Sequence, residues 1–221
     1  MKTLQILKRL RSERLTYLNL PKLGVLVATC REALALNSEG IVIEAGCALG
    51  GSAILIAHLK EQRRELVVYD TFAGIPAPGP NDDVDAHGRF ATIASGESKG
   101  LGDDDYYGYQ ENLLRTVEGN FARMGYPAQE HGVHLIPGDI RETMGREGPP
   151  VAFAHLDVDW HDATAHALDT IWSRLAQDGR ILIDDYGHWN GCRNAVDEFV
   201  ASRSGPVLAD TGLGSAVICK H

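Results

Sequence analysis

The sequence has no block of basic residues. Its 221 residues include 21 Lys and Arg against 30 Asp and Glu, so the net charge is −9 at pH 7. Nucleic acids and anionic membranes attract proteins through clustered positive charge. The composition therefore argues against both nucleic acid and a membrane as partners.

Paired cysteines and long apolar runs are lacking as well. The cysteines are widely spaced, contain no Cys-x-x-Cys motif and are interpreted as reduced thiols rather than zinc ligands; they are Cys30, Cys47, Cys192 and Cys219. Residues 1–14 are basic and helical in pattern, without the continuous apolar core of a signal peptide. No apolar run approaches the ~20 residues that span a bilayer. A cytoplasmic location is the resulting expectation.

Short apolar runs alternate with helical patterns along the chain. Strand-like runs occupy residues 41–45, 66–70, 133–136, 151–156 and 180–183, and helical periodicity follows most of them. This alternation is typical of a mostly parallel sheet with helices on both faces. Two further runs near the C-terminus, at 207–208 and 215–219, predict an antiparallel hairpin. We predict a single α/β domain over residues 1–221, with N-terminal helices in residues 1–38.

One long segment, residues 71–105, interrupts this alternation. It is rich in Gly, Pro and Asp. A loop of such length inside a compact domain is usually functional or disordered. We interpret it as a mobile lid over the substrate site, with a plain solvated insertion as the alternative. The apolar positions from Tyr106 to Phe121 then fit a helix.

Two carboxylate pairs stand at the ends of two apolar runs. Asp157 and Asp159 follow the run 151–156, and Asp184 and Asp185 follow the run 180–183. If these runs are neighbouring parallel strands, four acids converge at one edge of the sheet, where they repel one another. A divalent cation makes such a cluster tolerable, and oxygen ligands suit Mg²⁺, Ca²⁺ or Mn²⁺. The sequence therefore predicts a metal-assisted site.

The spacing of Asp157 and Asp159 bears on their roles. In an extended segment both side chains point to one face, with Val158 opposite. Asp159 is then available as a general base beside the metal, and His161, two residues further on, is the second candidate.

A glycine-rich turn follows the first strand. Glu44, Gly46, Gly50 and Ser52 surround it, but the spacing does not match the G-x-G-x-x-G dinucleotide fingerprint. Asp70 ends the second strand, where an acid can bind ribose hydroxyls. Gly138-Asp139-Ile140 follows the third strand and is a candidate for contacts to an adenine edge. Together these elements predict a nucleoside-containing ligand.

The ordered set of motifs resembles the macrocin O-methyltransferase family, whose members methylate sugar hydroxyls on antibiotics. The matching segments are Glu44-x-Gly46-x-x-x-Gly50-Gly51-Ser52, Tyr69-Asp70-Thr71-Phe72-x-Gly74-Ile75-Pro76, Gly138-Asp139-Ile140-x-x-Thr143, Leu156-Asp157-Val158-Asp159, Asp184-Asp185-Tyr186, Trp189-x-Gly191 and Ala195-Val196-Asp197-Glu198-Phe199. They cover about residues 40–199. Each segment alone is common, whereas the ordered set is specific.

The resemblance implies a Rossmann-like methyltransferase fold, S-adenosylmethionine as methyl donor and Mg²⁺ as metal. It implies that Asp157, Asp184 and Asp185 hold the metal and that Asp159 is the general base. The implied donor-binding set is Glu44, Gly46, Cys47, Gly50, Ser52, Asp70, Thr71, Gly138, Asp139 and Ile140. The acceptor expected first is a hydroxyl of a small natural product, namely a deoxysugar of an antibiotic, and Trp160, His188 and Trp189 are the candidates for contacting it.

Several alternatives stay open from the sequence. A catechol or other vicinal diol also chelates Mg²⁺ and would suit the same reaction. A non-enzymatic sensor of a nucleoside ligand would use the same fold, with the acids merely solvated. The acceptor, the hydroxyl that is methylated and the oligomeric state are not identified, although relatives commonly form homo-oligomers.

Overall fold

The computed structural model describes residues 2–37 and 39–220. Met1 and Ser38, which belong to the predicted N-terminal helical region, and His221 lie outside the described residues. Among the described residues, no helix combines the length and the apolar character needed to cross a membrane. All four cysteines are buried and free of disulfides.

The described chain contains one mixed sheet. Its strands are β1 (Ile41–Ala45), β2 (Leu66–Asp70), β3 (Val133–Pro137), β4 (Val151–Leu156), β5 (Leu175–Ile183), β6 (Pro206–Asp210) and β7 (Ala216–Lys220). Their spatial order is β3-β2-β1-β4-β5-β7-β6. The first five run parallel, and β7 pairs antiparallel with both β5 and β6. The predicted α/β fold and its C-terminal hairpin are confirmed.

Eight α-helices among the described residues flank this sheet. They are α1 (Thr3–Ser12), α2 (Leu20–Leu36), α3 (Gly51–Leu59), α4 (Val84–Ala94), α5 (Leu113–Met124), α6 (Ile140–Thr143), α7 (His161–Arg174) and α8 (Asn190–Ala201). Alternate side chains of the strands enter two separate cores, because successive residues of a strand face opposite sides. Val42 and Phe153 pack with α1, α2, α3 and α5, whereas Ile43 and Ala154 pack with α6, α7 and α8. Both faces of the sheet are thus covered.

The segment between β2 and α5 differs from its prediction. Residues 71–105 contain the helix α4. Its buried residues, Ala86 and Ile93, are about two turns apart and therefore lie on the same face of the helix. The predicted helix from Tyr106 does not begin until Leu113, because the Asn112 side chain caps α5 by accepting from the backbone N–H of Arg115 at 3.2 Å. A short 3₁₀ turn at Tyr107–Tyr109 precedes it.

Candidate active site

A cavity of about 380 Å³ opens at the carboxyl ends of the parallel strands. Such edges are where ligands bind in open α/β sheets. Many of the predicted site residues line this cavity: Gly46, Asp70, Thr71, Gly138, Asp139, Ile140, Asp157, Asp159, Trp160, Asp184, Asp185, His188 and Trp189. The glycine turn and the acid cluster therefore line the same cavity.

Asp157, Asp184 and Asp185 form a compact carboxylate cluster. One oxygen of each lies within 4.8 Å of the others. The pairing of Leu156 with Ile183 in the β4–β5 register places the two acidic segments side by side. Burial and mutual repulsion raise the pKa values of Asp157 and Asp185.

The cluster has the donor set of a divalent cation site. Asp185 Oδ2 is buried and accepts no hydrogen bond from the described residues, and a buried carboxylate oxygen without a partner is costly. Three carboxylates at this spacing supply the oxygen ligands that Mg²⁺ prefers. The residues present therefore fit the predicted ion.

Asp159 reaches the cavity by a different route from the one predicted. Strand β4 ends at Leu156, so the alternation argument does not apply, and Val158 lines the cavity too. Asp159 adopts a left-handed backbone conformation with φ of 60°, which is uncommon for a residue other than glycine. Its Oδ1 accepts a hydrogen bond of 3.0 Å from the indole N–H of Trp189.

The surroundings of Asp159 raise the pKa of its carboxyl group. Burial and the nearby charge of Asp185 raise its pKa to about 8, against the opposing hydrogen bond from Trp189. A carboxyl group with a pKa near neutrality is suited to proton transfer.

Trp160 and Trp189 form one wall of the cavity. Their ring centroids are 5.2 Å apart in an edge-to-face arrangement. The Trp160 indole N–H donates to the Pro76 carbonyl at 2.8 Å. These contacts hold both rings in place beside Asp159.

The predicted histidines are placed differently from each other. His161 does not line the cavity: its Nδ1 lies 2.9 Å from Asp162 and its Nε2 lies 3.3 Å from Glu198. Because these carboxylates occupy both ring nitrogens, the geometry does not support His161 as the base. His188 lines the cavity and is exposed.

The glycine turn packs directly against the acidic loop. Gly46 has φ of 80°, and a Cβ there would lie 1.8 Å from the carbonyl oxygen of Asp157. Asp70 organises the turn, because its Oδ2 accepts from the backbone N–H groups of Cys47 at 2.7 Å and Ala48 at 3.2 Å. The glycine turn and the acidic segment after β4 are therefore in direct backbone contact.

Four residues of the predicted donor set do not line the cavity: Glu44, Cys47, Gly50 and Ser52. Glu44 is fully buried, accepts a hydrogen bond from the Ser52 hydroxyl and lies 3.3 Å from His155 Nδ1. Burial opposes the charged form of His155, but the carboxylates of Glu44, Asp184 and Asp185 outweigh it and raise the pKa of His155. In this structure Glu44 and Ser52 support the turn from within the core, because the strand directs the Glu44 side chain between the helix and β4.

Asp139 is a half-buried carboxylate at the other end of the cavity. It caps α6 by accepting from the backbone N–H of Arg141 at 2.8 Å, and it pairs with the guanidinium of Arg141 at 2.6 Å. The Arg141 side chain holds the pKa of Asp139 below its usual value despite burial.

Several cavity residues were not predicted. Lys22, from α2, places its Nζ 2.6 Å from Asp184 Oδ2 and is only 6% exposed. Arg89 and Tyr106 come from segment 84–106, and the guanidinium of Arg89 lies 5.6 Å from the Tyr106 ring centroid. Asp82 accepts from the backbone N–H of His161 at 2.8 Å. Their sequence neighbourhoods carry no motif that would have revealed these contacts.

Comparisons with known proteins agree with this arrangement. The model of the macrocin-O-methyltransferase (TylF) family matches residues 18–206. The 8-demethyl-8-(2,3-dimethoxy-alpha-L-rhamnosyl)-tetracenomycin-C 4'-O-methyltransferase of Streptomyces olivaceus is 30% identical over 190 residues, which are 83% of this chain and 67% of that protein. The demethyldecarbamoylnovobiocin O-methyltransferase of Streptomyces niveus is 23% identical over 196 residues, covering 84% and 68% of the two chains.

A solved structure shares the fold. The structure of the O-methyltransferase NovP superimposes with a TM-score of 0.76 at 21% identity, covering 93% of this chain and 82% of that chain. The family match spans most of the sequence and includes the glycine turn, Asp70 and both carboxylate pairs. The chain therefore belongs to the macrocin-O-methyltransferase family, whose members are S-adenosylmethionine-dependent O-methyltransferase enzymes.

Proposed function

We propose that this enzyme transfers the methyl group of S-adenosylmethionine to a sugar hydroxyl of an antibiotic-type natural product, with Mg²⁺ held by Asp157, Asp184 and Asp185. The observation that carries this proposal is the single cavity shared by the donor turn and the carboxylate cluster. The two relatives from Streptomyces act, by their names, on a rhamnosyl tetracenomycin and on demethyldecarbamoylnovobiocin. A sugar acceptor is consistent with both.

The donor is proposed to bind over the carboxyl ends of β1, β2 and β3. Gly46, Asp70, Thr71 and the segment Gly138–Ile140 line that end of the cavity. Asp70 is well placed for ribose hydroxyls, and its hydrogen bonds to the turn fix the backbone around the donor. Asp139, already ionised through Arg141, presents a polar edge to the adenine end.

The acceptor hydroxyl needs help to react. Mg²⁺ held by Asp157, Asp184 and Asp185 would lower the pKa of a bound alcohol, as it does that of water. Asp159 is the group proposed to take the proton, because its carboxylate lies in the cavity beside Asp157 and Asp185 and is held there by Trp189. Trp160 and Trp189 exclude water from one side and offer an apolar surface to the acceptor.

Asp159→Asn provides the main test. The amide keeps the shape and the contact to Trp189 but cannot take a proton, so we expect turnover to fall at least about 100-fold, with unchanged binding of S-adenosylhomocysteine measured by calorimetry. Asp83→Asn, an exposed aspartate outside the cavity lining, is the matched control and keeps full turnover. Near-parental turnover in Asp159→Asn removes Asp159 from the mechanism.

Chelation and acceptor choice test the remaining parts. Activity should vanish after exhaustive EDTA treatment and return with Mg²⁺; activity that survives chelation contradicts the carboxylate–metal site. Glycosylated acceptors and a simple catechol should be assayed in parallel. Turnover of the catechol alone favours the vicinal-diol acceptor over the sugar.

A further inference from the structure

Lys22 is a buried cation at the acidic cluster. Its ammonium group lies 2.6 Å from Asp184 Oδ2, 2.9 Å from the Asp184 carbonyl oxygen and 3.3 Å from His188 Nδ1. Both side chains of the ion pair are 7% exposed. Buried pairs of this kind are screened little by solvent, so the charge of Lys22 acts on the whole cluster.

The position of Lys22 is fixed by the first turn of α2. Asn19 caps α2, and its side chain accepts from the backbone N–H of Lys22 at 3.0 Å. Pro21 occupies the first turn, where proline is favoured. Lys22 therefore projects from the rigid start of a 17-residue helix, and its position does not depend on a flexible loop.

The other cations of the cavity are engaged elsewhere. Arg141 pairs with Asp139 at 2.6 Å, and Arg89 lies over the ring of Tyr106. Within residues 2–37 and 39–220, Lys22 is the one Lys or Arg in ion-pair contact with a member of the cluster. Lys22 is thus the one ammonium or guanidinium group that, among the described residues, directly offsets the charge of these three carboxylates.

We propose that Lys22 is a positioning residue that fixes Asp184 and brings the charge of the ionised cluster to minus two, which matches the site to a divalent cation rather than a trivalent one. The proposal rests on the metal site proposed above. With Lys22 present, these three carboxylates and a divalent ion sum to zero charge. Asp159 is counted apart because it is proposed as the base and not as a ligand, and its charge is the same with or without Lys22. Without Lys22, the cluster carries minus three, which favours a trivalent ion.

The physical effect depends on the charge of the bound ion. Lys22 repels an incoming cation in proportion to that ion's charge, so a trivalent ion is penalised more than a divalent one. The third positive charge of a trivalent ion adds one more unit of repulsion from the Lys22 ammonium group. At the effective dielectric constant of about 20 that suits protein interiors, one such unit at a few ångströms lowers the affinity for the ion by about tenfold or more. A loss of structure alone would lower the affinities for the divalent and the trivalent ion in similar proportion.

Binding of Mn²⁺ and Tb³⁺ to purified protein separates these two explanations. Mn²⁺ is followed by electron paramagnetic resonance, and Tb³⁺ by luminescence excited through the nearby tryptophans. Lys22→Met removes the charge and keeps the length of the side chain, so the ratio of Tb³⁺ to Mn²⁺ affinity should rise about tenfold or more relative to the parent. Lys22→Arg keeps the charge and should keep the parental ratio.

A second control isolates the helix start. Asn19→Ala removes the cap of α2 but leaves the ammonium group in the sequence, so any change in affinity should be shared by the two ions. Binding of S-adenosylhomocysteine reports that each variant is folded.

The outcomes are distinct. An unchanged affinity ratio in Lys22→Met, with both ions weakened alike, overturns the charge-matching role and leaves the metal site intact. A parent protein that binds neither ion overturns the metal site itself, and the role of Lys22 with it. If Lys22→Met does not fold, an elevated ratio in Lys22→Gln supports the proposal and a parental ratio contradicts it.

Discussion

Removing the Asp82 side chain should break the contact between the segment before α4 and the start of α7. Asp82 is 7% exposed, and its two oxygens accept from the backbone N–H groups of His161 and Gly79, each at 2.8 Å. His161 opens α7, whose first N–H groups have no partner within the helix. Asp82, 79 residues away in sequence, therefore serves as a tertiary cap.

The magnitude follows from the groups left behind. A buried amide that loses its acceptor costs about 1–3 kcal/mol, and loss of a helix cap typically costs about 1 kcal/mol. We expect Asp82→Ala to lower the free energy of unfolding by about 2 kcal/mol. For a chain of this size that corresponds to a fall in the melting temperature of about 4–8 °C. Asp83→Ala, whose exposed side chain makes no capping bond, is the neighbouring control.

Gly191 sharpens this prediction. A Cβ on Gly191 would lie 2.1 Å from Asp82 Oδ1, so Gly191→Ala must displace the carboxylate and should destabilise the parent by about 1 kcal/mol or more. Gly191 lies in α8, where alanine is favoured over glycine by up to about 1 kcal/mol. In the Asp82→Ala background the carboxylate is gone and the nearest remaining atom is the His161 backbone nitrogen at 3.3 Å, so the same substitution should cost much less than in the parent.

Urea denaturation of the parent, both single variants and the double variant completes a double-mutant cycle. A coupling energy of about 1 kcal/mol or more, with Gly191→Ala less destabilising in the Asp82→Ala background than in the parent, is the expected result. Additive effects of the two substitutions would refute the direct contact between Asp82 and Gly191 as the cause.

Three further predictions concern the core and the turn. His58 forms hydrogen bonds with Thr3 and Tyr126, and burial lowers its pKa. The stability that the neutral form contributes is therefore lost as pH falls below about 6.5. Between pH 7.5 and 5.5 the free energy of unfolding should fall more in the parent than in His58→Gln, and equal losses would contradict this prediction. Gly46→Ala should abolish calorimetric binding of S-adenosylhomocysteine, because its Cβ meets the Asp157 carbonyl at 1.8 Å; parental affinity would show that the turn can shift. Glu44→Ala removes the carboxylate that faces the buried His155. The free energy of unfolding, measured by urea denaturation, should fall by about 3–5 kcal/mol. A loss below about 1 kcal/mol would mean that His155 is neutral in the folded protein.

The sheet was predictable because its strands are short apolar runs that alternate with helical patterns. The runs at 41–45 and 151–156 match β1 and β4 as observed. Boundaries failed where a tertiary contact decides them. Segment 84–94 becomes helical although it lies within a Gly- and Asp-rich stretch, because Ala86 and Ile93 find a buried surface.

The acid cluster was predictable for a topological reason. Parallel neighbours bring their carboxyl ends to one edge, so Asp157 and the Asp184-Asp185 pair had to meet once β4 and β5 were adjacent. The position of Asp159 was predicted by the wrong geometry, since the strand ends before it and its backbone is left-handed.

The sequence by itself determined the order of the parallel strands along the chain, the family and the edge at which the carboxylates gather, because these depend on local periodicity, on an ordered set of motifs and on the direction of parallel strands. Only the tertiary structure decided which side chains complete the site. Lys22 meets Asp184 across 162 residues, and Asp82 caps a helix 79 residues away. Glu44 and Ser52 turn out to lie in the core rather than along the cavity. Such contacts follow from how helices and loops pack on the finished sheet, and no local pattern encodes them.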